Sequence, residues 1–451
     1  MQLKGTYLQL VLIHLGIGFT VYLFPFLSKF ILFIAIAFFL WKIVRSGNRN
    51  DDVLLAAAYV TGFEVFSRMT GGAFTYEFAK YAVIMFLTLG MFYRGFNRKS
   101  WPFIFYLLCL MPGILFSAIN LDYDTNIANA IGFNLSGPIC IGISALYCYD
   151  RKIPIEQFHN ILKALLLPIV SMTVYLYVYT PSIRDVLSGT QSNFEASGGF
   201  GPNQVATILG LGMFILFTRL LYVKNRLVNG IDLALLIFLS YRAIITFSRG
   251  GVITAGICAV LFFVIYFLRS SQQKKISLVP KAGIVLLAVI LTWGYSSIQT
   301  YGLIDKRYAN QDASGREKTD LTTGRAELLD SELQAFYEFP LTGIGVGKVK
   351  EFREEEYGRV SASHNEVSRM LSEHGIFGMV ALFILLLTPL VFRFKEKSNL
   401  YFYAFLAFWF LTINHSSMRI AAPAFIYGLS IISIVNIEKK NTLHRKQALT
   451  K

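Results

Sequence analysis

The sequence predicts an all-α polytopic membrane protein, and three observations carry that prediction. The chain is 55% hydrophobic and only 15% charged, with a mean hydropathy of +0.53, which lies outside the composition of soluble domains. Apolar runs long enough to cross a hydrocarbon core of about 30 Å, roughly 20 residues of helix each, recur along nearly the whole length. The basic residues fall between these runs, in alternate connections, which is the charge pattern of membrane topology. A net charge of +15 gathered on one domain or tail would suggest a nucleic-acid partner; spread in this way it does not.

Taken in order, the candidate spans are Tyr7 to Phe24, Lys29 to Val44, Val53 to Met69, Phe74 to Tyr93, Trp101 to Ala118, Asn129 to Tyr149 and Ile161 to Thr180. Then come Asn203 to Val223, Ile231 to Phe247, Gly251 to Leu268, Ala282 to Ile298, Ile376 to Phe392, Leu400 to Thr412 and Ile420 to Val435. They predict about 12–14 transmembrane helices in one domain over residues 1–451, with membrane lipid around them. The first run is followed at once by another and lacks a small-residue cleavage site, so it reads as a retained helix and not a signal peptide.

Alternate connections carry Arg45 and Arg49; Arg94, Arg98 and Lys99; Arg151 and Lys152; Arg219, Lys224 and Arg226; Arg269, Lys274 and Lys275; Arg393, Lys395 and Lys397; and a tail with Lys439, Lys440, Arg445 and Lys446. The positive-inside rule assigns these connections and both termini to the cytoplasm. Cys109, Cys140, Cys148 and Cys258 lie inside or at the ends of apolar runs with no CxxC or metal-ligand spacing, so neither a disulfide nor a zinc site is expected. Trp41, Trp101 and Tyr93 at span ends read as an interfacial belt.

One connection breaks the pattern. From Gln299 to Ser363 the chain is polar for over sixty positions, and the alternation puts this loop, 299–374 with the short helix that follows, on the extracytoplasmic side. Long loops of this kind usually serve function. Within it GRAELLDSELQAFYEF has Ala326, Leu329, Leu333 and Phe336 at helical spacing, which predicts an amphipathic helix lying on the bundle or the membrane surface. The turn-rich PLTGIGVGK follows.

The loop ends in SASHNEVSRMLSEHGIFG. Ser363 followed by Glu366 matches a capping box, and Val367, Met370 and Leu371 give an apolar face, so a short helix is predicted from His364 to near His374. Gly375 suits the left-handed residue past its end. A helix N-terminus attracts anions and disfavours a charged imidazole, so His364 is expected to be a neutral base beside an anion site. A lone loop histidine is ordinarily just solvated; here cations converge on it. Arg249 stands in SRGG at a helix start on the same face, with Gly250 and Gly251 permitting close backbone approach. Arg242 lies two helical turns earlier inside an apolar run, where an arginine is costly and functional by default. Arg325 opens the amphipathic helix. Guanidinium groups grip phosphate oxygens in pairs, so these three suggest a diphosphate clamp.

HNEVSRMLSEHGIFG, with SRGG, TGR and FPLTGIGVG in the same order, resembles the signatures of bacterial O-antigen ligases and the related O-antigen polymerases. GFGPNQVATILG, around Pro202 and Asn203, resembles the Asn-Pro-Asn stretch of many members, with Gly201 in place of the first Asn. The resemblance covers most of the chain, and its specific motifs lie between Gly201 and Gly378. It implies an inner-membrane enzyme that moves a glycan from undecaprenyl diphosphate to an acceptor hydroxyl on the periplasmic side, without cofactor, nucleotide or metal. Arg249 and Arg325 would bind the diphosphate, joined by Arg242; His364 would be the base; Ser248, Asn203 and Asn365 would support them. The acceptor is lipid A-core for a ligase, a lipid-linked repeat for an O-antigen or exopolysaccharide polymerase, and a protein hydroxyl for a protein O-oligosaccharyltransferase. The closeness of the His-Asn motif favours the ligase. A flippase of lipid-linked oligosaccharides would also need many spans and cations in a cavity, but the two related halves common in transporters are not evident.

Other motifs weigh less. GIGVGK is not a Walker A loop, because Val349 follows the lysine. Asp122 and Asp124 form a D-x-D, a common pair that is weak evidence for a metal. Glu64, Arg68, Glu77 and Lys80 read as internal ion pairs that fix helix packing. His415 is expected on the same face as His364, as a secondary contact.

Overall fold

An apolar run in a membrane satisfies its backbone groups internally only as helix or closed barrel, and helical spacing here selects helix. The computed structural model describes residues 2–318, 324–358, 361 and 363–435; the basic tail residues Lys439, Lys440, Arg445 and Lys446, and Thr322 and Thr323 of the TTGR stretch, lie outside them. The described helices are α1 (Gln2–Leu23), α2 (Leu27–Ser46), α3 (Asp52–Met69), α4 (Phe78–Arg94), α5 (Trp101–Cys109), α6 (Met111–Asn120), α7 (Ile127–Cys148), α8 (Ile155–Tyr179) and α9 (Pro202–Tyr222). They continue as α10 (Arg226–Ile245), α11 (Arg249–Leu268), α12 (Gln272–Gln299), α13 (Leu303–Tyr308), α14 (Arg325–Glu338), α15 (Val349–Tyr357), α16 (Glu366–Lys395), α17 (Phe402–Ser416) and α18 (Ala422–Ser430). Two three-residue strands, β1 (Lys152–Pro154) and β2 (Ser433–Val435), pair in parallel with Ile153 opposite Ile434.

Ten stretches among the described residues are long and apolar enough to cross a membrane, and α5 with α6 forms one of them, Pro112 opening its second half. All are helical, as the sequence predicts. The last expected span, Ile420 to Val435, is different: α18 is a nine-residue helix, about 13.5 Å long at 1.5 Å per residue, and the chain then extends into β2. Every residue of α18 is buried, against α7 and α17, so its hydropathy reports the bundle core and not a lipid-facing span. At 15 residues, α17 is also short of a full crossing.

The basic connections converge on one face. Arg94 reaches Asp51 at 3.2 Å, Arg151 donates to the Gly95 carbonyl at 2.8 Å, and Ser433 reaches the Asp150 carboxylate at 2.7 Å. On the opposite face lie the segment 180–201, the α10–α11 junction, the loop from Thr300 onward and the α17–α18 turn. Asn193 N–H bonds Thr246 O at 3.0 Å, Thr190 donates to Gln311 O at 2.9 Å, and Ser417 N–H bonds His364 O at 3.1 Å. The alternation of charged connections thus corresponds to two opposed faces of the bundle.

The amphipathic helix forms as α14, but its buried face is not the predicted one. Ser331, Glu332 and Ala335 are buried, whereas Ala326 and Leu329 are exposed. The helix is turned because Glu332 finds polar partners in Arg353 of α15 and Ser368 of α16, and a buried carboxylate so satisfied can face inward.

Candidate functional site

The site is built where α10 gives way to α11. Phe247 adopts φ +57°, a left-handed conformation that is costly for a bulky residue, and its carbonyl accepts from Arg307 Nε at 3.0 Å. This turn sets the start of α11, whose first residue is Arg249. Ser248, at the cap position, does not cap; its hydroxyl donates to Asn203 Oδ1 at 2.7 Å, tying the junction to the first turn of α9. The two glycines of SRGG are required. A Cβ on Gly251 would stand 2.2 Å from the Ala206 carbonyl of α9, and one on Gly250 would stand 2.4 Å from the His415 ring.

His364 lies on the neighbouring loop, just before α16. The predicted capping box does not form and the helix does not begin at His364. Asn365 is the cap, its Oδ1 accepting from Val367 N at 2.8 Å, and the helix begins at Glu366. Glu366 is turned away to Arg369 and to the Met418 N–H, so it cannot reach back to the cap. With its N–H groups occupied by Asn365, the α16 N-terminus is not the anion site expected there. The loop is held instead by the α17–α18 turn: besides the Ser417 bond, Arg419 Nη2 donates to Ser363 O at 2.7 Å. That turn is in turn pinned to α3, where Glu64 accepts from Ala421 N at 2.6 Å and Arg68, paired to Glu64 at 2.5 Å, donates to Arg419 O at 3.0 Å. Glu64 and Arg68 are therefore packing ion pairs, as the sequence suggests.

The electrostatics join these elements. Burial, followed by the guanidinium charges of Arg419, Arg325 and Arg353 and then His415, pushes the His364 imidazole from its usual 6.5 down to about 4. The neutral imidazole predicted from a helix terminus is thus produced by desolvation and nearby cations. Burial and then Arg249 and Arg419 lower Arg325, and burial and then Arg249 and Arg325 lower Arg307. Arg249, Arg307, Arg325 and Arg419 therefore feel one another's charge in a chain that ends at His364. Among the described residues none of the four forms an ion pair with a carboxylate. Arg249 instead reaches the amide oxygen of Asn310 and Arg307 O. Like charges gathered without acidic partners repel, and an arriving anion relieves that repulsion. His364 Nδ1 is buried with no partner among the described residues.

The surrounding loop is anchored by backbone. Gly375, at φ +57° and ψ −135°, interrupts α16 where the sequence places a helix stop, and the membrane span resumes after it. The PLTGIGVG segment lies across this break: Ile376 N–H bonds Pro340 O at 2.8 Å and Ile344 N–H bonds Ser372 O at 2.9 Å. A Cβ on Gly343 or Gly375 would approach the facing backbone to 2.4 or 2.6 Å. The motif is a strap for the helix break, not a phosphate loop. Arg353 locks α14 and α15 to the His364 loop, pairing with Glu332 and donating to Ser331 Oγ at 2.9 Å and Ser361 O at 2.7 Å.

Of the sequence-selected residues, Arg249, Arg325, His364, Asn365, Ser248 and Asn203 fall on one face around this cluster. Arg242 does not join them. It is buried in α10, donating to Ala196 O at 2.8 Å and Thr180 O at 3.3 Å, so its charge secures the segment 180–196. His415 stacks over Gly250, with Nδ1 2.8 Å from Leu411 O. Asp122 belongs to a salt bridge: Lys348 Nζ lies 3.0, 2.9 and 2.8 Å from Asp122, Glu351 and Glu355, filling the space between the three carboxylates. The sequence reading missed Arg307 and Arg419. Arg419 had the signal that singled out Arg249, an arginine between two apolar runs; Arg307 is one of many basic loop residues and had none.

Comparison with curated proteins and with solved structures gave no match. A family model described as O-antigen ligase matches residues 234–383, from within α10 to within α16. That segment contains Arg249, Arg307, Arg325 and His364, and over it the chain is similar to the O-antigen ligase family, which supports the O-antigen ligase and polymerase superfamily.

Proposed function

We propose that the protein transfers a glycan from undecaprenyl diphosphate to an acceptor hydroxyl, most simply as an O-antigen ligase acting on lipid A-core. The observation that carries this reading is the group of four arginines without ion-paired carboxylates among the described residues, beside a half-buried neutral imidazole. The donor diphosphate would occupy the space among Arg249, Arg325, Arg307 and Arg419, at the uncapped start of α11. His364 takes the proton from the acceptor hydroxyl as its oxygen attacks the anomeric carbon. The bond from that carbon to the phosphate oxygen breaks, the lipid diphosphate leaves with the electron pair, and the anomeric centre inverts. The arginines stabilise charge that grows on the leaving group, an interaction stronger in the transition state than in the ground state.

Donor binding also tunes the base. Burial holds His364 low first and the charges of Arg419 and Arg325 add to it; a diphosphate would offset those two charges, so the basicity rises once donor is bound while the effect of burial remains. The orientation that supports this assignment has the basic connections cytoplasmic and His364 on the periplasmic face of the inner membrane.

The test is gel analysis of lipopolysaccharide from cells lacking the gene and complemented with His364→Ala or Arg325→Gln, with membrane insertion of each variant verified. Loss of transfer in both, with long polymer left on the carrier, supports the ligase. Single repeats on the core in the knockout point to a polymerase. Full transfer by inserted His364→Ala refutes the base assignment. Turnover by the detergent-solubilised protein, with no closed compartment, distinguishes transfer from transport.

A further inference from the structure

A cavity that shares no residue with the arginine cluster opens on the face of the basic connections, where Ile434 of β2 lines it. It has a volume of about 650 Å³, within the roughly 300–1,000 Å³ typical of ligand pockets. Lys224 reaches it from just after α9, Arg269 from just after α11, and Lys274 and Lys281 from α12. The first turns of α12 give it one stripe: Lys274, Ser277, Leu278 and Lys281 follow the spacing of a single helix face, and all four line the cavity.

Four cations line this cavity and no carboxylate does. Among the described residues none of the four forms an ion pair. Lys281 Nζ donates to the carbonyls of Leu220, Leu221 and Val223 at 2.9, 3.3 and 3.1 Å, so the end of α9 holds its donors in place while its charge meets no carboxylate. Arg269 Nη1 donates to Lys397 O, and the Lys224 and Lys274 ammonium groups bond no described residue. Glu396, in the adjoining connection, accepts from Ser398 N–H at 2.7 Å and does not line the cavity. Two neutral groups are open as well. Tyr222 lines the cavity with its hydroxyl buried and without a partner among the described residues, and Ser271, at the cap position of α12, makes no capping bond. Uncompensated cations beside an uncapped helix start suit a phosphate group.

The same helix ends carry an apolar flank. Leu268 of α11 and Ile276 and Val279 of α12 are 66, 75 and 57% exposed. A free phosphate has no use for such a flank; a lipid, with its phosphate in the cavity and its acyl chains along α11 and α12, uses both. We infer that this cavity binds the phosphate of an anionic phospholipid, in the leaflet on the side of the basic connections. The inference is independent of the transfer reading, because no residue of the arginine cluster takes part and its test needs no turnover.

The full chain, purified in a non-ionic detergent, is titrated with phosphatidylglycerol, phosphatidylcholine or inorganic phosphate, and bound copies are counted by native mass spectrometry to give Kd. Wild type is compared with Lys224→Gln/Lys274→Gln, with that pair plus Arg269→Gln, and with Arg98→Gln/Lys99→Gln, which removes two charges from the same face outside the cavity. Lys224 and Lys274 are exposed and bond no described residue, so the fold does not depend on them. The expected result is one phosphatidylglycerol bound more tightly than phosphatidylcholine, its Kd raised about 25-fold by the cavity pair, at about fivefold per cation, and changed less than about twofold by the control pair. The triple variant is expected to weaken it further. Phosphatidylglycerol bound as well by the cavity pair as by wild type, or weakened equally by the control pair, overturns the site. Equal affinity of wild type for the two lipids does so too. Tight binding of inorganic phosphate that the cavity pair loses overturns the lipid as occupant.

Discussion

The depressed pKa of His364 yields a quantitative test of the base assignment. An ordinary histidine at 6.5 is roughly 91% neutral at pH 7.5 and roughly 9% at pH 5.5, so a base of that kind loses about tenfold in kcat/KM over the interval. With the imidazole held at about 4, roughly 97% of sites are still neutral at pH 5.5, and kcat/KM is expected to be nearly flat until the pH approaches that value. The sign is fixed by the cause, because burial and positive neighbours both disfavour the imidazolium. Arg419→Gln removes the largest charge effect after burial and moves the acid limb upward, though not to 6.5, since burial remains. The limb of kcat, which reports the donor complex, is expected above that of kcat/KM because the diphosphate offsets the cations. The assay is initial rate of glycan transfer in detergent from pH 4 to 8, with stability checked at each pH. A wild-type kcat/KM limb near 6.5 that Arg419→Gln leaves in place would refute the assignment.

Further outcomes follow from the same contacts. Arg242→Gln is expected to lower stability by about 1.5–3 kcal/mol per charged hydrogen bond lost, seen as a lower Tm in detergent, with donor KM unchanged. Gly375→Ala forces a side chain into positive φ against the Leu341–Gly343 backbone, at a cost of about 1–3 kcal/mol from strain alone, and reduces the amount of folded protein measured by size-exclusion of solubilised membranes. Glu332→Gln leaves buried Arg353 without its counter-charge, a loss of about 3–5 kcal/mol, and limited proteolysis should then cut the segment between α14 and α16 faster than in wild type. His364→Ala is expected to lower kcat by about 100- to 10,000-fold with the protein still inserted.

Much of this protein is set by local chemistry. Hydropathy determines that the runs are helices, and basic residues between them determine which connections share a face, because both effects act over one segment at a time. The break at Gly375 is local too, a residue that alone accepts that backbone conformation. Tertiary structure decided the rest. Nothing in the sequence around Ile420 to Val435 distinguishes a lipid-facing span from a nine-residue core helix, since lipid and protein interior are equally apolar. Glu332 faces inward against the amphipathic pattern only because Arg353 and Ser368 arrive from elsewhere in the chain. Arg242 and Arg249 are seven residues apart and alike in sequence, yet one is buried on the backbone carbonyls of Thr180 and Ala196 while the other reaches Asn310 and Arg307 O, within the field of Arg307 and Arg325. What an arginine does depends on the partners that folding brings to it, because a charge has no fixed role until its neighbours are chosen.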